Sequence, residues 1–333
     1  MLREESTFAD PHLESLLPSV KPSRRGFIAA SGSLCFALAA GPLNAQSVIT
    51  TPADGLEVLD FTVSVTGGQN MPAYMAAPAK AGKYPVVIVI PEIFGMHTYQ
   101  KDICRRLAKL GYVGVTLDPF FRSGDLSKVA AIGEVVAAAN KLADSQMLSD
   151  LDSLVAFVEQ QPKVNGRKIG ITGMCRGGRT VWMYTAHSPK IKAGVSWYGG
   201  LGAIPPAMPK TPVDVAGQLN APVLGLYAGA DGGIPVNQVA ALQEALKAGN
   251  KNSKASTFIL YPGVPHAFHA DYRPSYRKAE AEAGVWHRAV FAQIRVPPVV
   301  VGIQVAFLKS RQKNVQAFFT LTATNDLSNA GDK

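Results

Sequence analysis

The stretch KIGITGMCRGG at residues 168–178 decides the fold. Its apolar first part predicts a buried strand from Lys168 to Thr172, and a helix is expected to begin at Arg176. Between them stands Gly-x-Cys-x-Gly, the pattern of a nucleophile elbow with Cys175 where Ser is usual. The glycines permit a tight turn that lifts the cysteine side chain above the sheet. An ordinary turn with a buried cysteine is the alternative for this motif taken alone.

Strands and helices alternate on both sides of this turn. The first two strands are expected to form an antiparallel hairpin at a sheet edge, because a Gly-rich turn separates them. The remaining alternation predicts an α/β fold, with a mostly parallel doubly wound sheet flanked by helices, in one domain over about residues 47–294. Predicted strands are 57–65, 71–77, 84–90, 113–117, 168–172, 193–197, 222–227 and 256–260; predicted helices are 99–110, 126–142, 146–161, 176–187, 236–248 and 276–291.

Composition excludes several classes of protein. The 333 residues are 47% apolar and 17% charged, which excludes a disordered chain, a collagen-like repeat and a small disulfide scaffold. The net charge of +9 is scattered along the chain rather than gathered in a basic stripe, so no nucleic-acid partner is predicted. No Cys, His and acidic residues have the spacing of a metal site, and no dinucleotide or phosphate-binding glycine loop is present. We therefore predict neither a metal nor a cofactor.

The N-terminus resembles a bacterial twin-arginine export signal. Arg24 and Arg25 precede a weakly apolar run that reaches Ala40 and is too short to span a bilayer. We expect residues 1–45 to be removed after Ala45 by way of the twin-arginine export machinery. The mature chain would then be periplasmic or secreted, with no stable membrane insertion. Residues 295–333 do not fit the strand–helix alternation and are expected to form an atypical C-terminal tail.

Two further residues complete a nucleophile–acid–base order along the chain. Asp231 follows the predicted strand 222–227, and His266 follows the last predicted strand. This is the chain order of the α/β-hydrolase fold, in which the base activates the nucleophile and the acid orients the base. His269 is an alternative to His266, and one histidine of the pair was expected at the surface. Asp118 also follows a strand but precedes the nucleophile, which is out of order.

Other candidate groups belong to the same sheet edge. Glu92 follows the strand 84–90, so its carboxylate is expected to point into the pocket that holds Cys175. The backbone N–H of Arg176 opens the helix after the nucleophile and is suited to an oxyanion hole. A glutamate in an ordinary loop is the alternative for Glu92.

Four short motifs together resemble the dienelactone hydrolase family, whose members are also called carboxymethylenebutenolidases. They are PEIFGM at 91–96, GMCRGG at 173–178, AGAD at 228–231 and PHAF at 265–268, within a similarity that covers about residues 57–290. The resemblance implies a Cys175–Asp231–His266 triad, with Glu92 as a fourth participant that takes the thiol proton when substrate binds. It also implies that the backbone N–H of Ile93 is the second oxyanion donor.

The family holds a substrate carboxylate with arginines, and here the resemblance is partial. DPFFR at 118–122 resembles the family segment D-L-Y-x-R, which implies that Arg122 is a substrate anchor. Ala270 stands where the second arginine is usual, and Arg273 follows three residues later. The alternative for Arg122 is a surface pair with Asp125.

The sequence therefore predicts a cysteine-dependent hydrolase that cleaves an ester or lactone, anionic if Arg122 serves as its anchor. A generalist carboxylesterase of the same fold, acting on uncharged esters, is the nearest alternative. A thiol redox or sensing protein would use Cys175 differently, but the chain has no Cys-x-x-Cys. A binding protein without catalysis would have no need of Asp231 and His266.

Overall fold

The structure is a computed structural model and describes residues 49–204 and 206–285. The predicted export signal at 1–45, the tail at 295–333 and the domain limits at 47 and 294 all lie outside the described residues.

One sheet of eight strands runs through the described part of the chain. Its order is β1-β2-β4-β3-β5-β6-β7-β8, and every neighbouring pair from β4 onward is parallel. The pairs β1–β2 and β2–β4 are antiparallel, which makes the hairpin the edge of the sheet. The strands are β1 (Leu56–Ser64), β2 (Asn70–Pro78), β3 (Tyr84–Ile90), β4 (Val113–Leu117), β5 (Val164–Met174), β6 (Ile191–Trp197), β7 (Val223–Ala228) and β8 (Thr257–Tyr261).

Helices cover the parallel part of the sheet, and for this reason its strands β3, β4 and β7 are buried along almost their whole length. All residues of β3 after Tyr84 are buried, and β4 and β7 are buried throughout. The helices are α1 (Thr98–Lys109), α2 (Ile132–Asn140), α3 (Asp144–Glu159), α4 (Arg176–His187), α5 (Pro212–Val215), α6 (Val236–Ala248), α7 (Lys251–Lys254) and α8 (Lys278–Val285). Helix α1 packs against β2 and β4, and α4 packs against β5 and β6.

The start of α4 lies in direct backbone contact with the ends of two strands. A Cβ on Gly177 would lie 2.3 Å from the carbonyl oxygen of Ile90, the last residue of β3. A Cβ on Gly178 would lie 2.6 Å from the carbonyl oxygen of Trp197, the last residue of β6. Only glycine allows the helix to begin this close to the sheet, and this contact places the residue before the helix over the strand ends.

The predicted α/β architecture is confirmed, and the main differences lie at element boundaries. The helix expected over 126–142 begins only at Ile132, because Leu126–Lys128 forms a separate 3₁₀ turn. The carboxylate of Asp125 caps that turn by accepting from the Ser127 N–H at 3.1 Å. Strand β5 begins at Val164 rather than Lys168, since Val164 pairs with Tyr84 ahead of a register shift in the ladder.

Because the first turn of α4 lies so close to the strand ends, adding one methyl group there should carry a large steric cost. Gly177→Ala should lower the free energy of unfolding by about 3 kcal/mol, because the new methyl would overlap backbone atoms that cannot rotate away. Gly133→Ala is the matched control: a Cβ there meets nothing within 4 Å, and alanine in place of helical glycine should stabilise by up to about 1 kcal/mol. Urea denaturation of both variants measures the difference, and equal stabilities would contradict the packing described.

Candidate active site

Cys175 occupies a strained turn between β5 and α4. Its backbone has φ 54° and ψ −115°, a left-handed φ that is unfavourable for a residue with a side chain. The Cys175 N–H donates to the carbonyl oxygen of Trp197 at 3.0 Å, and its own carbonyl accepts from the Arg179 N–H at 3.1 Å. These bonds hold the turn, and the half-buried thiol stands at the carboxyl edge of the parallel strands. The predicted elbow conformation is present.

His266 and Asp231 form a buried pair at the same edge of the sheet. His266 Nδ1 and Asp231 Oδ2 are 2.6 Å apart, and each side chain is 1% exposed. Asp231 Oδ1 also accepts from the Gly233 N–H at 2.9 Å, which fixes the carboxylate. Because Asp231 engages Nδ1, the imidazole is left with Nε2 for its interaction with the Cys175 side chain.

The neighbours of His266 favour its charged form. Burial by itself would lower the pKa of His266, but the charges of Cys175 and Asp231 together outweigh it and raise the pKa to about 10. The imidazole of His266 can therefore hold a second proton at neutral pH. Because the pKa is raised, this pairing stabilises the fold fully below about pH 6.5 and is lost as the pH rises towards 10.

Glu92 is buried in a small cluster of polar side chains. Its Oε2 accepts a 2.5 Å hydrogen bond from the Tyr272 hydroxyl and lies 3.7 Å from Nη2 of Arg273. The Arg273 guanidinium lies against the rings of Phe94 and Tyr272, with centroids at 4.9 and 5.0 Å. The other carboxylate oxygen, Oε1, has no hydrogen-bond partner among the described residues. Glu92 is thus a buried carboxylate whose charge is balanced by Arg273 and which keeps one oxygen unengaged.

Asp118 fixes the loop that carries Glu92 and Ile93. Its Oδ1 accepts from the Phe120 N–H at 3.0 Å, and the Met96 N–H also bonds the carboxylate. Gly95 has φ +74°, and a Cβ there would lie 2.7 Å from Asp118 Oδ1. The carboxylate therefore holds the loop from both sides. Burial raises the pKa of Asp118 to about 6, against the opposing effect of these N–H donors.

Arg122 is placed differently from the expectation that it anchors a substrate. Its Nη1 and Nη2 make a bidentate pair with Asp150 at 2.7 and 2.9 Å, and its Nε donates to Gln69 at 2.7 Å. Asp150 is fully buried on α3, so it binds the guanidinium more firmly than a surface carboxylate would. The alternative partner, Asp125, instead pairs with Lys128 at 2.9 Å. All three guanidinium nitrogens of Arg122 are thus engaged within the protein.

The segment after His266 contains residues that sequence reasoning missed. Tyr272 was not singled out, although it makes the shortest hydrogen bond to Glu92. His269 is not at the surface as expected for one histidine of the pair: it is buried, and its Nδ1 bonds the Tyr99 hydroxyl. Burial lowers the pKa of His269 to about 3, so it stays neutral. The only signal in the sequence was the density of His, Tyr and Arg just after the candidate base.

Residues 49–204 and 206–285 contain neither a cluster of metal ligands nor a membrane-spanning helix. No group of three or more His, Cys, Asp or Glu side chains in these ranges could hold a metal ion. No helix in these ranges is long and apolar enough to cross a membrane.

Comparison with protein families agrees with the geometry. The model of the "Dienelactone hydrolase family" matches residues 71–293, which is more than half of the chain and includes the elbow, Asp231 and His266. The chain belongs to the dienelactone hydrolase family. The predictions of an α/β-hydrolase fold and of a dienelactone-hydrolase-type hydrolase are therefore confirmed.

Individual relatives in this family match most of the chain. A Methylorubrum extorquens protein named "Putative carboxymethylenebutenolidase" is 47% identical over 284 residues, which are 85% of this chain and 96% of the relative. A protein of the same name from Escherichia coli K12 is 46% identical over 259 residues, 76% of this chain and 92% of its own. A Klebsiella pneumoniae crystal structure, titled as a "Putative Dienelactone Hydrolase", superimposes with a TM-score of 0.67 at 42% identity and covers 72% of this chain and 99% of that one.

The raised pKa of Asp118 predicts a pH-dependent stability difference. The native state keeps a proton between pH 4 and 6 that the unfolded chain releases, so ionising Asp118 destabilises the fold as the pH rises. Relative to wild type, the free energy of unfolding of Asp118→Asn should therefore increase by about 1–2 kcal/mol between pH 4 and pH 7. Asp125→Asn is the control with the opposite sign, because hydrogen bonds from Ser127 and Lys128 lower the pKa of Asp125. Urea titrations at both pH values measure the change, and a pH-independent difference would contradict the assignment.

The Arg122–Asp150 pair predicts a structural rather than a selective effect. Arg122→Ala leaves a buried carboxylate without its cation and should cost about 3 kcal/mol of stability. It should lower kcat/KM for a carboxylate-bearing ester and for its uncharged counterpart by the same factor. Lys128→Ala, which breaks a pair whose lysine is 82% exposed, should leave stability almost unchanged. Loss confined to the anionic ester would restore Arg122 as a substrate anchor.

Proposed function

We propose that this protein hydrolyses a carboxylic ester or lactone through an acyl-enzyme on the sulfur of Cys175. The observation that carries the proposal is the strained Cys175 turn beside the buried His266–Asp231 pair. Each of the three residues follows a different strand of one sheet, in the order nucleophile, acid and base. A cysteine kept only for packing would not require a left-handed φ at the start of a helix.

The first half of the reaction forms the thioester. Glu92 takes the Cys175 proton when substrate binds, leaving a thiolate beside the charged His266. The thiolate attacks the carbonyl carbon, and the backbone N–H groups of Ile93 and Arg176 bind the developing oxyanion. The C–O bond then breaks, and the leaving alkoxide receives a proton from Nε2 of His266. In a lactone the alcohol so formed stays attached to the acyl group.

The second half returns the enzyme to its starting state. Neutral His266 removes a proton from water, and the resulting hydroxide attacks the thioester carbon. The C–S bond breaks, the acid product leaves, and the thiolate recovers its proton from Glu92. Asp231 keeps the imidazole in one tautomer and stabilises its charged form in both halves. Every proton in this cycle moves between residues of the chain, substrate and water, so the proposal requires no cofactor.

Tyr272 and Arg273 support the role of Glu92 in this cycle. Both contact Oε2, while Oε1 is unengaged among the described residues and is suited to accept the thiol proton. Arg273 also balances the charge of Glu92, which would otherwise be a costly isolated carboxylate in a buried site.

We also propose that the enzyme works outside the cytoplasm. The support is the sequence alone: Arg24 and Arg25 precede an apolar run and an Asn-Ala end suited to signal cleavage. The twin-arginine export machinery would be the partner for this step, and the mature chain would be periplasmic or secreted.

The nucleophile assignment predicts that Cys175→Ala abolishes turnover and leaves the fold intact. The comparison substrates are a set of lactones and simple esters, which also separates a lactonase from a generalist carboxylesterase. Cys104→Ala is the matched control, because Cys104 is fully buried in α1 and should be dispensable for catalysis. Mass spectrometry of quenched wild-type enzyme should show an acyl group on the peptide that contains Cys175.

Two results would contradict this assignment. One is activity above a few per cent in Cys175→Ala with an unchanged circular dichroism spectrum. The other is a His266→Ala/Cys175→Ala double variant far worse than either single variant, because members of one catalytic unit are not additive.

A further inference from the structure

Most charged side chains around the nucleophile are balanced in pairs. Arg179, one turn into α4, holds Asp144 through Nη1 and Nη2 at 2.6 and 3.0 Å. Arg273 balances Glu92, and Arg122 is bound by Asp150 as described above. Each of these arginines is paired with a carboxylate, so the pairs add little net charge to the site.

Arg176 is the exception among the described arginines near Cys175. Its side chain is 4% exposed, and its nearest carboxylate oxygen is Oδ1 of Asp144 at 3.8 Å, which Arg179 already binds. Nη2 donates to the carbonyl oxygen of Leu142 at 3.2 Å. Within the described chain, Nε and Nη1 have no hydrogen-bond partner. Two buried guanidinium groups therefore share one carboxylate, and one positive charge is left over.

The left-over charge persists at neutral pH. Burial lowers the pKa of Arg176 to about 10, and the neighbouring Arg179 lowers it further against the opposing effects of Asp144 and Cys175. Burying a cation that shares its carboxylate with a second arginine is costly to the fold. At low local dielectric the same charge strongly attracts an anion held nearby.

We propose that the Arg176 side chain is the charge that attracts anions to Cys175, separately from the oxyanion contact of its backbone N–H. It favours acyl groups that carry a carboxylate and the negative charge that develops on the carbonyl oxygen. The inference concerns the same site as the proposed hydrolase and rests on it for the substrate. It assigns selectivity for anionic substrates to Arg176 in place of Arg122, whose guanidinium is engaged by Asp150.

Alkylation of Cys175 tests the charge without requiring ester hydrolysis. Iodoacetate and iodoacetamide differ by one negative charge but react alike: the thiolate forms a C–S bond and the C–I bond breaks, releasing iodide. The ratio of their rate constants at Cys175 therefore reports the local potential. Peptide mass mapping separates Cys175 from the buried Cys104.

The variants separate charge from side-chain packing. In Arg176→Met the iodoacetate-to-iodoacetamide ratio should fall about tenfold or more, since tenfold corresponds to about 1.4 kcal/mol and a unit charge at low local dielectric supplies at least that. Arg176→Lys should keep most of the ratio. Lys128→Gln, which removes an exposed charge, should leave the ratio within about twofold of wild type. In Arg176→Met, kcat/KM for a carboxylate-bearing ester should fall by the same tenfold relative to its methyl ester.

An unchanged ratio in Arg176→Met, or an equal fall in the Met and Lys variants, would overturn the proposal. Should the Met variant not fold, the wild-type ratio is compared with that of free cysteine. A wild-type value no higher than that reference would also overturn it. The proposed hydrolase is judged separately: wild type that shows the alkylation preference but hydrolyses no ester would refute the hydrolase and leave the role of Arg176 standing.

Discussion

The site depends on the backbone contact between the first turn of α4 and the ends of β3 and β6. Gly177 and Gly178 let the helix begin within van der Waals contact of two strand carbonyls, and the preceding residue is thereby forced into its left-handed conformation. Because Cys175 cannot relax without moving the helix off the sheet, its thiol stays at the strand edge where His266 also lies. The geometry of the candidate site is in this sense a by-product of helix-on-sheet packing.

The polar residues around this contact differ in how firmly the protein holds them in place. The Asp231–His266 pair is buried and directional, so it fixes one imidazole tautomer. The loop that carries Glu92 and Ile93 is held by Asp118, at the cost of a buried carboxylate with a raised pKa. Burying the Asp118 carboxylate costs stability, but the carboxylate keeps the loop in place. Such a cost is common where binding groups must be pre-positioned.

The sequence predicted the fold well, and it placed Cys175, Asp231 and His266 at one edge of the sheet, because both inferences follow local rules. Apolar runs identify β3 and β7, and each of the three candidate residues follows the end of a strand. Tyr272 and the Arg122–Asp150 pair could not be predicted in this way, since both depend on contacts between distant parts of the chain. The apolar spacing at 126–128 is helical, so the sequence predicts helix there. The structure instead has a separate 3₁₀ turn that Asp125 caps, and the helix begins again at Ile132.

His266 and Tyr272 stand on one short loop, six positions apart, and each contacts a different buried carboxylate, Asp231 or Glu92. A substitution that shifts this loop therefore moves His266 away from Asp231 and releases Glu92 at the same time. Remodelling the loop to admit a different substrate would change both contacts together. The small apolar cluster in which side chains between Phe120 and Leu142 pack with Ile93 and Phe94 includes no described residue of this loop.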